Sequence, residues 1–397
     1  MVRGVDLKIT KWIMSGSLMV FLVLISIGSF VAKDREFSEN ENRYLAQFPE
    51  ISLDSIINCD FQDGLEKYIN DQILGRDEWI TIKTAIQKFV GDTEIGGAYV
   101  GKDGYDFEKI TQDDVDQKLV DRNIAQIQKF FETASGSIDK SRLSFLLVPT
   151  SGLVLADKLP ANAPLFDQAA IIESVSEAMK DYNFVDVRDV LTEHKEEGVY
   201  YRTDHHWTSL GALLAYSEYC QSVGVPFEFS DYKETVVSEK FRGSLYSKIL
   251  DYDSAFDTIK FYEKGGDKKS FVVTLDGEKA DGFYHYNQLE EKDKYLFFFG
   301  GNYAEVVVSD KDVLENVTGG SAEGNSNETR NLLLIKDSFA NCFAPLVAED
   351  YDNVYMIDMR FFRGDMQEYM EANNITDVLV LYNVSNFISD KNIHKLN

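Results

Sequence analysis

The chain has 397 residues, 44% of them hydrophobic, enough for one large core and a smaller second unit. Its formal net charge of -27 repels phosphate backbones, which argues against a nucleic-acid partner. Its three cysteines, Cys59, Cys220 and Cys342, include no Cys-x-x-Cys pair, which argues against both a disulfide framework and a thiolate zinc site.

From Trp12 to Ala32 there is no charged residue and no proline. About 20 apolar residues suffice to cross a bilayer as a helix. Arg3, Lys8 and Lys11 precede the run against Asp6 alone, so the positive-inside tendency leaves that end cytoplasmic and places the rest outside the cell. A cleaved signal peptide is the competing reading. Its apolar region is usually shorter, roughly 7–15 residues, and Phe30-Val31 make a poor cleavage site. The expected organisation is therefore a cytoplasmic tip and anchor over 1–33, a polar juxtamembrane linker over 34–60, and a folded α/β region over 61–397.

Within that region, apolar spacing predicts helix from Phe61 to Val90, and the glycine-rich GGAYVGKDGY that follows predicts a short hairpin. Asp114–Ala134 reads as an amphipathic helix and Ile171–Met179 as another. The runs LSFLLVPT (143–150), FVDVRDV (184–190), LLLIKD (332–337), VYMID (354–358) and DVLVLY (377–382) read as strands, several of them apolar enough for burial on both faces of a parallel sheet. Alternation with helices implies βαβ units. Short β-like stretches over 223–300, including YLFFFGG, predict an antiparallel insertion, and 318–330 reads as a polar loop.

Two clusters carry chemistry. The first is Asp204-His205-His206-Trp207, which holds two of the five histidines and runs into a helix capped by Thr208 or Ser209. An aspartate beside a histidine fixes its tautomer and stabilises the imidazolium, as a general base paired with a serine requires. The second is LLLIKDSFANC (332–342), a strand running into Asp337-Ser338 and then a helix near Phe339. A serine there faces the crevice at the carboxyl end of the sheet, with its N–H at a helix start. Taken alone, Ser338 or Asp337 reads equally well as a helix cap. Asp-His-His also suits a metal phosphoesterase, but His194, His285 and His394 bring no accompanying ligand pattern.

Together the clusters resemble the DHHW family and, behind it, the SGNH-like O-acetyltransferases of the alginate-modifying type. The phrases FSENENRYLAQFP (37–49), LEKYINDQILGRDEWI (65–80), VPTSGLVLADKLP (148–160) and FRGSLYSK (241–248) extend the resemblance over most of Phe37–Tyr382. It implies an SGNH-hydrolase-like α/β fold: a parallel sheet flanked by helices, with the β-rich insertion and one N-terminal transmembrane helix. It implies a Ser338 nucleophile, a His206 base with His205 as fallback, and Asp204 in support. Gly301 and Asn302 are the candidates for completing an oxyanion hole, and Arg360 and Tyr382 for lining the crevice. Lys336 stands where such proteins often have glycine. The expected chemistry is acyl transfer: O-acetylation or deacetylation of a cell-surface or exported polysaccharide, with no metal or organic cofactor. The acetyl donor would come from a membrane acyltransferase. A glycan-binding protein on the same scaffold is the non-enzymatic alternative.

Overall fold

The computed structural model describes residues 7–266, 269–318 and 329–397. The positions of Arg3 and Asp6, and 319–328 of the expected polar loop, lie outside the described residues. The chain forms two compact units, one of residues 1–92 with 247–253, the other of 93–246 with 254–397.

The first unit opens with a helix over Leu7–Val31. Its segment Ile9–Val31 is long and apolar enough to cross a membrane, fitting a single-pass anchor or a signal sequence. The polar segment after it is ordered rather than a plain linker. Phe37–Ser38 pairs with Arg43–Tyr44, and Arg43 grips Asp71 through two bonds of 2.9 and 2.6 Å. The helical stretch expected over 61–90 is two helices, Asp60–Gln72 and Arg76–Val90, and both belong to this unit. They break at Gly75, whose φ of 71° a side-chain-bearing residue rarely adopts.

The second unit is built on an eight-stranded sheet. Its strands are β1 (Leu143–Val148), β2 (Asn183–Val185), β3 (Phe271–Leu275), β4 (Glu278–Ala280), β5 (Glu305–Asp310), β6 (Asn331–Lys336), β7 (Asn353–Ile357) and β8 (Asp377–Asn383). Their spatial order is β4-β3-β5-β7-β6-β8-β1-β2. From β7 to β2 every pairing is parallel; β5, β3 and β4 add antiparallel strands at the other edge. The sheet is therefore mixed, where the apolar runs alone predict a parallel one. Side-chain alternation buries both faces: Leu332, Leu334, Leu379 and Leu381 enter one core, and Leu333, Ile335, Val378 and Val380 the other. Helix Ser209–Val223 packs into the first core, and Gln117–Ala134 and Gln168–Ala178 into the second.

Three expectations change. The 223–300 region is not one insertion: strands Tyr232–Phe241 and Asp257–Lys264 form a separate antiparallel pair, but β3 and β4 extend the main sheet. FVDVRDV keeps only β2, because the Asp186 side chain accepts the Arg188 N–H at 3.0 Å and turns the chain into helix Arg188–Glu193. The aromatic YLFFFGG is not a strand. Asp293 caps a 3₁₀ turn over Lys294–Phe297, and the rings pack inward.

Candidate active site

The DHHW loop is a sharp turn closed by its own backbone. Tyr200 bridges Trp207, and the Tyr201 N–H donates to the His206 carbonyl at 3.3 Å. Asp204 Oδ1 accepts the His206 N–H at 2.9 Å, an Asx-type turn that holds the His206 ring above its own partner carboxylate. Asp257, at the start of its strand, takes the Arg202 and Thr203 N–H groups at 2.9 and 2.8 Å and so moors the loop. From the other side FRGSLY closes over it. Ser244 N–H donates to Asp204 Oδ2 at 2.8 Å, and Leu245 and Tyr246 N–H both reach the Thr203 carbonyl at 3.0 Å. Gly243 is required there, because a Cβ at that position would fall inside the Asp204 carboxylate. Thr208 is the cap of the following helix, its hydroxyl accepting from Gly211 N–H at 3.3 Å.

The DSF turn comes from the carboxyl end of β6. Asp337 is the cap, accepting the Phe339 N–H at 2.9 Å through Oδ1. Its Oδ2 takes the Asn383 N–H at 2.7 Å and Asn386 Nδ2 at 2.8 Å, pinning the turn to the end of β8. That frees the half-exposed Ser338 from capping. The two turns are joined by Trp207, whose indole N–H donates to the Phe339 carbonyl at 2.9 Å.

The result is one hydrogen-bonded chain. Ser338 Oγ lies 2.7 Å from His206 Nε2, and His206 Nδ1 lies 2.6 Å from Asp204 Oδ1. The carboxylate holds the proton on Nδ1 and leaves the Nε2 lone pair facing the hydroxyl. Tyr295 stacks on His206 at 3.9 Å and 11°, fixing the ring plane, and its hydroxyl donates to the Ser338 carbonyl at 3.1 Å. His205 does not face Ser338; its Nδ1 is 2.7 Å from Ser244 Oγ.

Burial sets the electrostatics. It would push the Asp204 carboxyl up, but His205, His206 and the Ser244 N–H hold it well below the usual range, so it stays an anion. For His206 burial and then His205 lower the pKa below its ordinary 6.5, outweighing the upward pull of Asp204. The ring is a neutral base at neutral pH. Burial pushes the Cys342 thiol up to about 12, which keeps it in the unreactive, protonated form.

The remaining predicted residues fall in different places. Lys336, 1% exposed, does not point to solvent; its ammonium reaches Asn341 Oδ1 at 2.7 Å and Asn302 Oδ1 at 3.3 Å. An ammonium only donates, so both amides must turn their oxygens toward it. This leaves Asn302 Nδ2 as a donor on the far side of its amide. Gly301 is half-buried beside it, with no hydrogen bond tying it to the triad. Arg360 is exposed and held by Asp358 through bonds of 2.9 and 2.5 Å, and the buried Tyr382 hydroxyl donates to Asp390 at 3.1 Å. Both line a cavity of about 320 Å³ together with Asp337 and Asn386. Residue type alone does not mark Gly243, Ser244 or Tyr295 as functional. Of the three, Gly243 and Ser244 fall within the phrase FRGSLYSK.

Among the described residues, Asp204, His205 and His206 are the one acidic and imidazole group compact enough for a metal ion, with donor atoms within 4.8 Å. Both His206 nitrogens are already engaged, one by Asp204 and one by Ser338, so an ion would have to break one of these bonds.

The fold has known counterparts. A DHHW family protein from Eubacterium siraeum superposes with a TM-score of 0.61 at 23% identity, covering 76% of this chain and 95% of that one. Bacillus cereus PatB1, captured with a sulfonyl adduct, gives 0.57 at 20% identity over 75% of this chain and 98% of its own. The O-acetyltransferase domain of Pseudomonas putida AlgJ gives 0.44 at 14% identity over 74% and 93%. No curated protein matches the chain in sequence. The family model described as DHHW protein matches residues 95–357, a span that contains the DHHW loop, the FRGSLY segment and the DSF turn, and the chain belongs to the DHHW family.

Proposed function

We propose that the protein is a membrane-anchored, extracytoplasmic acyltransferase of SGNH-like type that O-acetylates, or deacetylates, a cell-surface or exported polysaccharide. The observation that carries this reading is the unbroken chain from Asp204 through His206 to Ser338. His206 Nε2 takes the hydroxyl proton as Ser338 Oγ attacks the acetyl carbonyl. Asp204 stabilises the imidazolium that forms. The tetrahedral oxyanion meets the Ser338 N–H, which stands at the first position of the turn Ser338–Asn341, where backbone donors have no partner within the turn. Collapse expels the donor's leaving group, which takes the proton back from His206. A sugar hydroxyl, or water, then repeats the sequence and releases the serine. The N-terminal helix holds the unit at the membrane, where a membrane acyltransferase would supply acetyl groups. Cavity-lining Arg360, Tyr382 and Asn386 would meet the acceptor.

The test is incubation of the purified protein with an activated acetyl ester and a panel of neutral and acidic oligosaccharides, read by mass spectrometry. Acetylated sugar identifies a transferase and free acetate alone an esterase. Glycan binding without either product would reject the enzymatic reading. Activity that vanished with a chelator would move the assignment to the Asp204-His205-His206 metal group; no chelator effect is expected.

The pH dependence has a definite sign. A general base works only unprotonated, and the His206 pKa lies below 6.5. Activity should therefore hold as pH falls through 6.5 and decline only as pH passes the lowered value. Asp293, pushed up to about 6 by burial and then by the Asp204 charge, titrates in the same window, so the profile is compared with that of Asp293→Asn, which removes its contribution. A kcat/KM profile whose acid limb lay above pH 6.5 would contradict the neutral, desolvated base.

A further inference from the structure

Helix Arg76–Val90, in the unit that carries the N-terminal helix, is amphipathic the wrong way round for a soluble protein. Its polar side faces the protein. Thr84, 2% exposed, donates to the Ile249 carbonyl at 2.6 Å, and Lys88 pairs with Asp251. The opposite side carries Trp79, Ile82, Ile86, Phe89 and Val90, spaced to fall within one narrow stripe. They are 39, 48, 57, 91 and 66% exposed. A contiguous row of large apolar side chains, ending in a nearly free phenylalanine, marks a surface that something apolar covers.

The covering medium is identified by what the helix adjoins. The Trp79 ring packs edge-on against Phe21 of the membrane-spanning segment at 5.8 Å. Leu74, just before the helix, donates its N–H to Ser29 Oγ at 2.9 Å, and its side chain lies so close to Gly28 that a Cβ there would collide. The stripe is thus continuous with the surface of the segment that crosses the bilayer. Phe21 lies near the middle of Ile9–Val31, so a side chain packed on it sits at the depth of the acyl chains.

We propose that the Trp79–Val90 stripe is a second membrane-contacting surface, seated against lipid acyl chains beside the N-terminal anchor. This rests on the reading that Leu7–Val31 stays in the bilayer. Two attachments in place of one restrict how the membrane-proximal unit can tilt and turn, which a single helix leaves free.

Tryptophan quenching in single-copy lipid nanodiscs tests this with the full chain, whose three tryptophans are Trp12, Trp79 and Trp207. Phosphatidylcholine brominated at shallow or at deep acyl positions is the quencher. The Trp12→Phe variant leaves Trp79 against the fully buried Trp207 as internal control. Adding Trp79→Phe and Phe89→Trp moves the reporter to the far end of the stripe. Both reporters should lose most of their emission in brominated lipid, and Trp207 little. The Trp79→Phe variant, with Trp12 reporting, checks the anchor separately. Quenched Trp12 with reporters at 79 and 89 as insensitive as Trp207 would overturn the proposal and leave the anchor standing. In that case a protein partner or a second copy covers the stripe. An unquenched Trp12 would remove the anchor and the proposal together.

Discussion

Ser338→Ala is expected to cut acetyl release by roughly a thousandfold to a millionfold, by analogy with serine hydrolases, leaving only what binding and the oxyanion donors contribute. No other group at the site can take over. The Cys342 thiol is raised to about 12, and its sulfur faces the Phe339 carbonyl and the Tyr295 hydroxyl rather than the crevice. The fold should survive, since what holds the turn is Asp337 with Phe339, Asn383 and Asn386, none of which involves the Ser338 hydroxyl. His206→Ala should lose nearly as much, and the double variant no more than either, because base and nucleophile act as one unit. Steady-state rates with an activated ester, beside circular dichroism of each variant, check this. An additive loss in the double variant would show that the two groups work independently.

Asp204→Asn is expected to lower kcat by about 10⁴-fold with little change in KM, the size of effect a wrong imidazole tautomer produces in a serine triad. The carboxylate is almost fully buried and accepts from His206 Nδ1, His206 N–H and Ser244 N–H. Oδ1 takes both His206 bonds and Oδ2 the Ser244 N–H, so an amide whose oxygen keeps the Ser244 bond turns its NH₂ to the Oδ1 side. Its NH₂ then meets Nδ1 as a donor, pulling the ring proton to Nε2, where it blocks the base. His205 cannot compensate, since its Nδ1 is committed to Ser244 Oγ. Imidazole proton shifts observed by NMR should move with the tautomer. Full activity in Asp204→Asn would show that the aspartate supports structure alone.

Much of this site is visible in the sequence because its chemistry is carried by scarce residues. Five histidines, two of them adjacent beside an aspartate, leave few places for a general base. The apolar runs of β1, β6 and β8 are equally legible, since only a strand buried on both faces needs every side chain apolar. What escapes is whatever depends on a distant segment. Gly243 matters only because Asp204, 39 residues earlier, occupies the space its side chain would fill. Tyr295 sits in an aromatic run that reads as a strand, and nothing local says that its ring stacks on His206. Lys336 looks like a solvent-facing lysine until Asn302 and Asn341 are seen to close over it. The mixed sheet is hidden for the same reason: β5 is an alternating strand of ordinary length, and its direction against β7 is a matter of chain path.

The most direct measurement is to find the acyl group itself. The protein is mixed with an activated acetyl ester, quenched in acid within the first turnover, digested and analysed by mass spectrometry. One acetyl group is expected on the peptide containing Ser338, absent in Ser338→Ala, accumulating in the wild type and discharged when acceptor sugar is added before the quench. Acetyl on another residue, or turnover with Ser338 never modified, would contradict a Ser338 nucleophile.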